Sequence, residues 1–279
     1  MIAICDSGAS KGDWAFIKDT GIVFLESSGF NPYTHDHSSY REELIRTIDP
    51  EISQGILRVY FYGAGCAEPG QKLKVKTLLE NVFPNSNFSV DTDLLAAAKA
   101  TCGNNKGIAC ILGTGSNSGL YDGHTFIDSV PNLGYLLGDE GGGNYFGKLL
   151  IRSYFFRDMP DNLKPAFEEF AGSQEKIMKK LYSKDEAVNT YLAGFMRFAM
   201  EHKEDLFIQH LITKDFQDLI NANLSKYEGH KIIPTHFVGS VAYYYQDLLR
   251  ACLSKNGIPC GTILAKPLNN LVEYHRSHG

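Results

Sequence analysis

Apolar and polar positions alternate along the first thirty residues, and the alternation predicts three short strands. Residues 2–5 (IAIC) and 13–18 are joined by the run DSGASKG (6–12), and GIVFLESS (21–28) continues the meander after an Asp19-Thr20-Gly21 turn. The period then lengthens. Tyr40, Leu44, Ile45 and Ile48 have helical spacing within 38–49, and QKLKVKTLLENVF (71–83) is amphipathic. Between them, RVYFYGAG (58–65) reads as a buried strand ending in glycines. FSVDTD (88–93) is a strand that delivers acids at its C-terminal end, and LLAAAKATC (94–102) is a helix of small residues. The predicted order for this stretch is β-β-β-α-β-α-β-α.

A second series opens near residue 107. GIACILGTGSNSGLYDGHTFIDSV predicts three short strands, with a glycine-rich turn after the first and a hairpin signal at Asp122-Gly123. The pattern of strand, Gly/Ser turn and further strands therefore occurs twice, as an internal repeat. Residues 142–157 read as a helix, and 161–231 as largely helical and polar-faced, with no motif of their own. IIPTHFVGSVAYYYQDLLRACL (232–253) is a strand, a tight Gly-Ser turn and a helix; CGTILAKPL (260–268) is a last strand and NNLVEYH a closing helix. No linker rich in Pro, Gly or Ser separates the series. The expected organisation is a lobe at 1–106 and a lobe at 107–267 with a helical insertion about 142–231, the last helix (about 268–279) packing back on the first lobe.

Composition narrows the class. The 279 residues are 43% hydrophobic and 21% charged, an ordinary globular balance. No apolar run approaches the roughly 18 to 20 residues of a membrane helix. The N-terminus lacks a basic region and its apolar stretch stops at Asp6, so no signal peptide is expected. A net charge of −5 argues against nucleic acid as the main partner but leaves room for a bound nucleotide. The six cysteines (Cys5, Cys66, Cys102, Cys110, Cys252, Cys260) form no CxxC pair and no Cys/His cluster with zinc spacing. They read as buried, reduced thiols of a cytoplasmic protein. None of the nine histidines has an HExxH-type partner.

Three glycine-rich turns each follow a buried strand: DSGASKG (6–12), LGTGSNSG (112–119) and VGSVA (238–242). Residues without bulk let backbone N–H groups approach phosphate oxygens. Hairpins and barrel corners also use glycine, so one such turn says little; three, two of them at the repeated position, point to a phosphate cradle. None is a Walker A loop, since GxxxxGK[ST] does not occur. None is a dinucleotide fingerprint, since the first two turns lead into strands.

VDTD (90–93) and LGDEGGG (137–143) complete a series of five motifs: DSGASKG, VDTD, LGTGSN, LGDEGGG, VGSVA. In that order, across roughly residues 2–275, the chain resembles the actin/hexokinase/Hsp70 (ASKHA) superfamily. More narrowly it is similar to the N-acetylglucosamine kinase and BadF/BadG/BcrA/BcrD ATPase branch. The resemblance implies an α/β, two-lobed, ribonuclease H-like (actin-like ATPase) fold with a duplicated βββαβαβα core and ATP and substrate in the interlobe cleft.

It also implies roles. Asp6 would hold Mg²⁺, usually through water, a hard cation suited to carboxylate. Gly8, Ser10 and Lys11 would face the β- and γ-phosphates. Here the turn departs from the usual GGGTKT run: Ser7 and Ala9 replace glycines, and Gly12 replaces the second hydroxyl. Asp93 corresponds to the general base, with Asp91 the alternative; Asp93 could equally cap a helix starting at Leu94. Gly113, Thr114 and Gly115 would form the second phosphate turn, with Ser116 and Asn117 toward the sugar. Asp139 and Glu140 would accept hydrogen bonds from sugar hydroxyls, the glycines after them letting a helix N-terminus start beside the ligand; the same acids would also complement the helix dipole. Asn31, in SSGFNP (27–32), matches the loop that contacts an N-acetyl sugar, and Gly239 and Ser240 match the adenosine motif.

The implied activity is ATP- and Mg²⁺-dependent phosphorylation of a small-molecule amino sugar, N-acetylglucosamine at its 6-hydroxyl first, with neither nucleic acid nor membrane as partner. Relatives are often dimers, so a homodimer is left open. Three other readings stay beside it. A reductase-activating ATPase would share an iron–sulfur cluster between subunits, but Cys102 and Cys110 do not match a cluster loop. A sugar-sensing regulator would place a helix-turn-helix domain before the first phosphate turn, which here starts at residue 6. The altered first turn suggests a non-catalytic nucleotide- or sugar-binding protein.

Overall fold

The computed structural model describes residues 1–8, 11–183 and 187–278, and the chain forms two units, 1–104 with 266–279 and 105–265. The first unit contains β1 (Ile2–Ser7), β2 (Lys11–Lys18), β3 (Gly21–Ser28), α1 (His37–Thr47), α2 (Pro50–Gly55), β4 (Arg58–Gly63), α3 (Pro69–Glu80), β5 (Asn87–Thr92) and α4 (Asp93–Cys102). The second begins with β6 (Gly107–Leu112), β7 (Ser116–Tyr121) and β8 (Phe126–Asp128). Among the described residues seven α-helices follow: α5 (Gly134–Leu137), α6 (Gly143–Phe155), α7 (Lys164–Ala171), α8 (Gln174–Leu181), α9 (Val188–Ala193), α10 (Met196–Glu201) and α11 (Leu206–Ala222). It ends with β9 (Thr235–Val238), α12 (Ser240–Tyr244), α13 (Gln246–Lys255) and β10 (Cys260–Leu264). The chain then returns to the first unit as α14 (Leu268–His278), which packs on α4, β1 and β2.

The two sheets have one topology. In the order β3-β2-β1-β4-β5, the first three strands are antiparallel neighbours and β4 and β5 run parallel to β1. The second sheet is β8-β7-β6-β9-β10, with the same antiparallel and parallel pairings. Short turns join the antiparallel strands, and helices supply the longer crossovers that parallel neighbours need. The repeated strand–turn–strand pattern is thus a duplicated actin-like core, the fold class expected from the motifs. The short α2 and α5 were not expected, since six and four residues carry no measurable helical period.

Strand alternation decides which residues reach the candidate site. Ala3 and Cys5 in β1, with their neighbours Phe16 and Trp14 in β2, point into a core shared with Tyr40 and Leu44 of α1 and Val75 and Leu79 of α3. Trp14 is fully enclosed; its ring stacks on Phe16 at 5.9 Å and its Nε1–H donates to Ser27 Oγ at 3.2 Å. The opposite face of β1 therefore presents Ile4 and Asp6. In α4, Ala96, Ala97, Ala98 and Ala100 are all buried, and side chains this small let the helix lie close over the sheet. In the second unit, Ile108, Cys110 and Leu112 of β6 anchor a core with α6, α11 and α13. Five of the six cysteines are buried and Cys260 is half-buried. Among the described residues no helix is long and apolar enough to cross a membrane.

Candidate functional site

Two strand ends in the first unit bring acids together. The antiparallel register sets Asp6 directly opposite Asp13, so both carboxylates lie on one face. β5 runs straight into α4, where Thr92 rather than Asp93 is the N-cap: its Oγ1 accepts the Leu95 N–H at 3.2 Å. Asp93 is the first helical residue, and its Oδ1 accepts the Leu94 N–H at 2.8 Å. Loss of hydration, then the charges of Asp93 and Asp13, push the Asp6 carboxyl up to about 7, with the Lys266 ammonium opposing them. Burial also raises the Asp93 carboxyl, against the pull of the Leu94 amide and its own. Lys266 Nζ donates to Asp13 at 2.9 Å. Asp91, the alternative base, is paired with a cation: Lys72 Nζ lies 2.5 Å from its Oδ1. Among the described residues no cation pairs with Asp93.

A stability prediction follows from Asp6. Its folded carboxyl titrates near 7 and its unfolded one near the ordinary 3.8, so the folded state favours the protonated form. The stability this confers is complete below about pH 4 and is lost as pH rises through 7. In chelator, Asp6→Asn is therefore expected to unfold at a higher urea concentration than the native chain at pH 8, and the advantage to vanish by pH 4. Equal midpoints at both pH values would show that Asp6 is not shifted.

The first turn is tied down from its core side. Ser7 is buried and its Oγ accepts the Phe30 N–H at 2.9 Å, so this serine, where the resemblance implies glycine, joins the turn to the SSGFNP loop. A Cβ on Gly12 would stand 2.8 Å from Ser27 Oγ and 3.1 Å from the Ser28 carbonyl, which accounts for the missing second hydroxyl. Gly8 and Lys11 are exposed, and Lys11 Nζ donates to Glu26 Oε1 at 2.7 Å. Ser10 lies outside the described residues. Asn31 uses its Oδ1 to accept the Tyr33 N–H at 3.0 Å, and packs beside Gly65, whose φ of +78° suits glycine.

In the second unit, parallel pairing of β6 with β9 puts two glycine corners side by side. A Cβ on Gly239 would be 2.2 Å from the Leu112 carbonyl oxygen. The Gly113 and Thr114 carbonyls accept the N–H groups of Gly143 and Asn144 at 2.9 and 2.8 Å. This corrects the expectation of a helix N-terminus open to ligand, because the first amides of α6 are spent on the turn. Thr114 is exposed above it. Gly115 is required by Asp139, whose carboxylate oxygens stand 2.7 Å from where its Cβ would be.

The two acids of GDEGGG differ in their surroundings. Asp139 is 7% exposed and held in the left-handed region at φ 68°. Its Oδ1 accepts the Ser116 N–H at 3.1 Å and its Oδ2 accepts the Asn144 Nδ2–H at 2.7 Å. Glu140 is half-buried and lines a pocket of about 130 Å³ with Ser116, Asn117, Asn132, Asp139 and Asn223. Asn117 Oδ1 accepts the Ser118 N–H at 2.9 Å, and Asn132 donates its Nδ2–H to the Ser116 carbonyl. Ser240 opens α12 beside a hollow of about 430 Å³ lined by Met196, Arg197, Met200, Tyr244 and Tyr245.

The structure therefore gathers Asp6 and Asp93 in one unit, and Gly113, Thr114, Gly115, Ser116, Asn117, Asp139, Glu140 and Gly239 in the other. Three participants were missed. Asp13 was legible, because DSGASKGD is a hairpin and its two acids must face each other. Lys266 was not, being 253 residues from its partner. Nor was Asp215, buried in α11, which accepts the Gly141 N–H within GDEGGG.

No group of three or more His, Cys, Asp or Glu among the described residues could hold a metal on protein ligands alone. Asp6 does suit a magnesium ion that keeps most of its waters: it is a carboxylate among carboxylates, and a cation would relieve that repulsion.

No protein-family model and no curated protein matches the chain. Solved structures do. The crystal structure of a Porphyromonas gingivalis protein provisionally named N-acetylglucosamine kinase is 37% identical, covers 99% of each chain and superposes with a TM-score of 0.93. A Chromobacterium violaceum protein with the same provisional name is 14% identical over 98% of each chain, at a TM-score of 0.73. A ROK family glucokinase from Streptomyces griseus, solved with glucose and AMPPNP, is 15% identical over 100% and 99% of the two chains, at 0.54. The last two speak for the fold alone. The full-length identity to the Porphyromonas protein, with the duplicated sheets and the motif order, places this chain in the N-acetylglucosamine kinase family of the actin/hexokinase/Hsp70 superfamily.

Proposed function

We propose that the protein is an ATP-dependent sugar kinase that transfers the γ-phosphoryl group to a hydroxyl of an amino sugar, N-acetylglucosamine at its 6-position first. The observation that carries this reading is Asp93: a carboxylate fixed at a strand end by the Leu94 amide and unpaired with any cation among the described residues. Phosphoryl transfer needs little covalent help, but it needs a nucleophile in line and an acceptor for its proton. Asp93 does both when it accepts the hydrogen bond of the sugar hydroxyl and then its proton. Asp91, bridged to Lys72, serves the architecture instead.

The remaining roles follow from chemistry and position. In this reading Gly8 and Lys11, with Ser10 between them in sequence but outside the described residues, would serve the terminal phosphates, as would Gly113, Thr114 and Gly115. Glu140, Asn117 and Ser116 accept or donate hydrogen bonds to the sugar in their polar pocket, with Asp139 shaping that pocket from behind and Asn31 reaching the acetamido group. Gly239 and Ser240 take the adenosine, with the largely apolar hollow around Met196, Met200 and Tyr244 suited to a planar base. Asp6 would hold a hydrated Mg²⁺, which when bound supplies positive charge against the phosphates.

The Porphyromonas relative's provisional name supports N-acetylglucosamine over other sugars. ADP release, coupled through pyruvate kinase with phosphoenolpyruvate to NADH oxidation by lactate dehydrogenase, over N-acetylglucosamine, N-acetylmannosamine, glucosamine and glucose, tests the reading. N-acetylglucosamine is expected to stimulate release most. If no sugar raises ADP release above that of protein and ATP alone, the kinase reading fails.

A further inference from the structure

α11 carries an acid where its pattern calls for a hydrophobe. Asp215 lies on the apolar face among Leu211, Ile212, Phe216 and Leu219, and is 2% exposed. A carboxyl there gives up hydration and needs a compensating partner. Among the described residues no cation is in hydrogen-bond contact with it; its Oδ1 accepts the Gly141 N–H. Gly141 (φ 82°) and Asp139 (φ 68°) are both left-handed, a conformation open to glycine and, among residues with a side chain, most often taken by Asn and Asp.

The other side of the loop is held by an ammonium. Lys148, from α6, donates through Nζ to the carbonyls of Tyr135 at 2.7 Å and Gly138 at 3.1 Å, with its ammonium over the Tyr145 ring at 4.8 Å. An ammonium thus grips the carbonyls before the Asp139–Glu140 pair, and a carboxyl grips the amide after it. Each group matches the end of the peptide dipole it meets, a donor on carbonyls and an acceptor on an amide. Between the grips Asp139 is buried and accepts from Ser116 and Asn144, while Glu140 is half-buried and is the more open of the two acids that line the polar pocket. α11 also supplies Ala222 to that pocket's wall, followed by Asn223.

We propose that Asp215 and Lys148 are positioning residues that set the Glu140 carboxylate for the sugar, and so govern sugar affinity without touching the ligand. This rests on the sugar-kinase reading. Burial, with the charges of Asp218 and Glu140, holds the Asp215 carboxyl well above the usual carboxylate range, against the Gly141 amide and Lys148. Protonated or ionised, the acid offers an oxygen to the Gly141 amide, and so does an asparagine side chain, so asparagine is a faithful substitute and alanine is not.

The experiment compares Asp215→Ala, Asp215→Asn and Lys148→Met by steady-state kinetics, and by deuterium exchange over residues 134–147. Losing an orienting hydrogen bond corresponds to about a tenfold change in equilibrium. Asp215→Ala and Lys148→Met are expected to raise the sugar KM by about that factor with the ATP KM unchanged, and to speed exchange across the segment; Asp215→Asn is expected to do neither. Unchanged sugar KM in both Asp215→Ala and Lys148→Met overturns the proposal. So does an equal rise in the KM for sugar and ATP, which marks a merely structural residue. If the native protein phosphorylates no sugar, the kinase reading falls by itself and exchange decides the grip: acceleration in Asp215→Ala but not in Asp215→Asn upholds it, and no acceleration refutes it. Should Asp215→Ala not fold, the sugar KM and exchange rate of Lys148→Met decide between the same two results.

Discussion

Asp93→Asn is expected to lower kcat by about 10²- to 10⁴-fold, the range for loss of a positioned general base. The substitution is close to isosteric. Asn Oδ1 can still accept the Leu94 N–H, and Thr92 still caps α4, so the helix start survives. Removing one charge from beside Asp6 also relieves a repulsion, so the variant should be no less stable than the native chain. ATP affinity, measured by calorimetric titration, should stay within about twofold, since an Asp-to-Asn change there alters no phosphate donor. Asp91→Asn is the comparison. It frees Lys72 and should cost far less in kcat. If Asp93→Asn turns over normally and Asp91→Asn does not, the base is Asp91.

The second large effect concerns a glycine. Gly239 has φ 123°, a conformation that residues with a side chain rarely adopt, and its missing Cβ leaves room for the Leu112 carbonyl 2.2 Å away. Its N–H donates to the Leu264 carbonyl at 2.9 Å, so β6, β9 and β10 are all engaged at this corner. Alanine meets backbone strain and a backbone clash together. Gly239→Ala is expected to destabilise by about 3 kcal/mol or more. In a unit of this size that corresponds to about a 10 °C fall in Tm by scanning calorimetry. Gly113 is the control: a Cβ there meets nothing within 4 Å, so Gly113→Ala should shift stability by no more than about 0.5 kcal/mol. Equal effects from the two substitutions would contradict the account of the corner.

Most of the architecture was legible because it is written locally. Alternation in β1 to β3 and the Gly/Ser turns mark each half of the duplication, and Asp93 stands where a strand pattern gives way to a helix pattern. What escaped is what tertiary contacts decide. Thr92 caps α4 although Asp is as good a cap, because the strand runs from Asn87 to Thr92, one position earlier than the expected 88–93, and the helix starts at Asp93. Ser7 and Gly12 looked like losses from a phosphate turn. They are packing choices, one made by the Phe30 amide and the other by the nearness of β3. Asp139 and Glu140 look alike in sequence, and only the fold shows that Asp139 is held by the amide of Ser116 and the side chain of Asn144 while Glu140 stands more open. Lys266 and Asp215 act on partners far along the chain, where no spacing rule reaches.

Phosphorus NMR of a reaction holding the protein, ATP, Mg²⁺ and N-acetylglucosamine tests the central claim most directly. The account predicts a phosphate monoester resonance, split by the two protons of the sugar's C6 methylene, that grows as the γ-phosphate of ATP declines. Inorganic phosphate as the sole product, formed at the same rate with and without sugar, would contradict it.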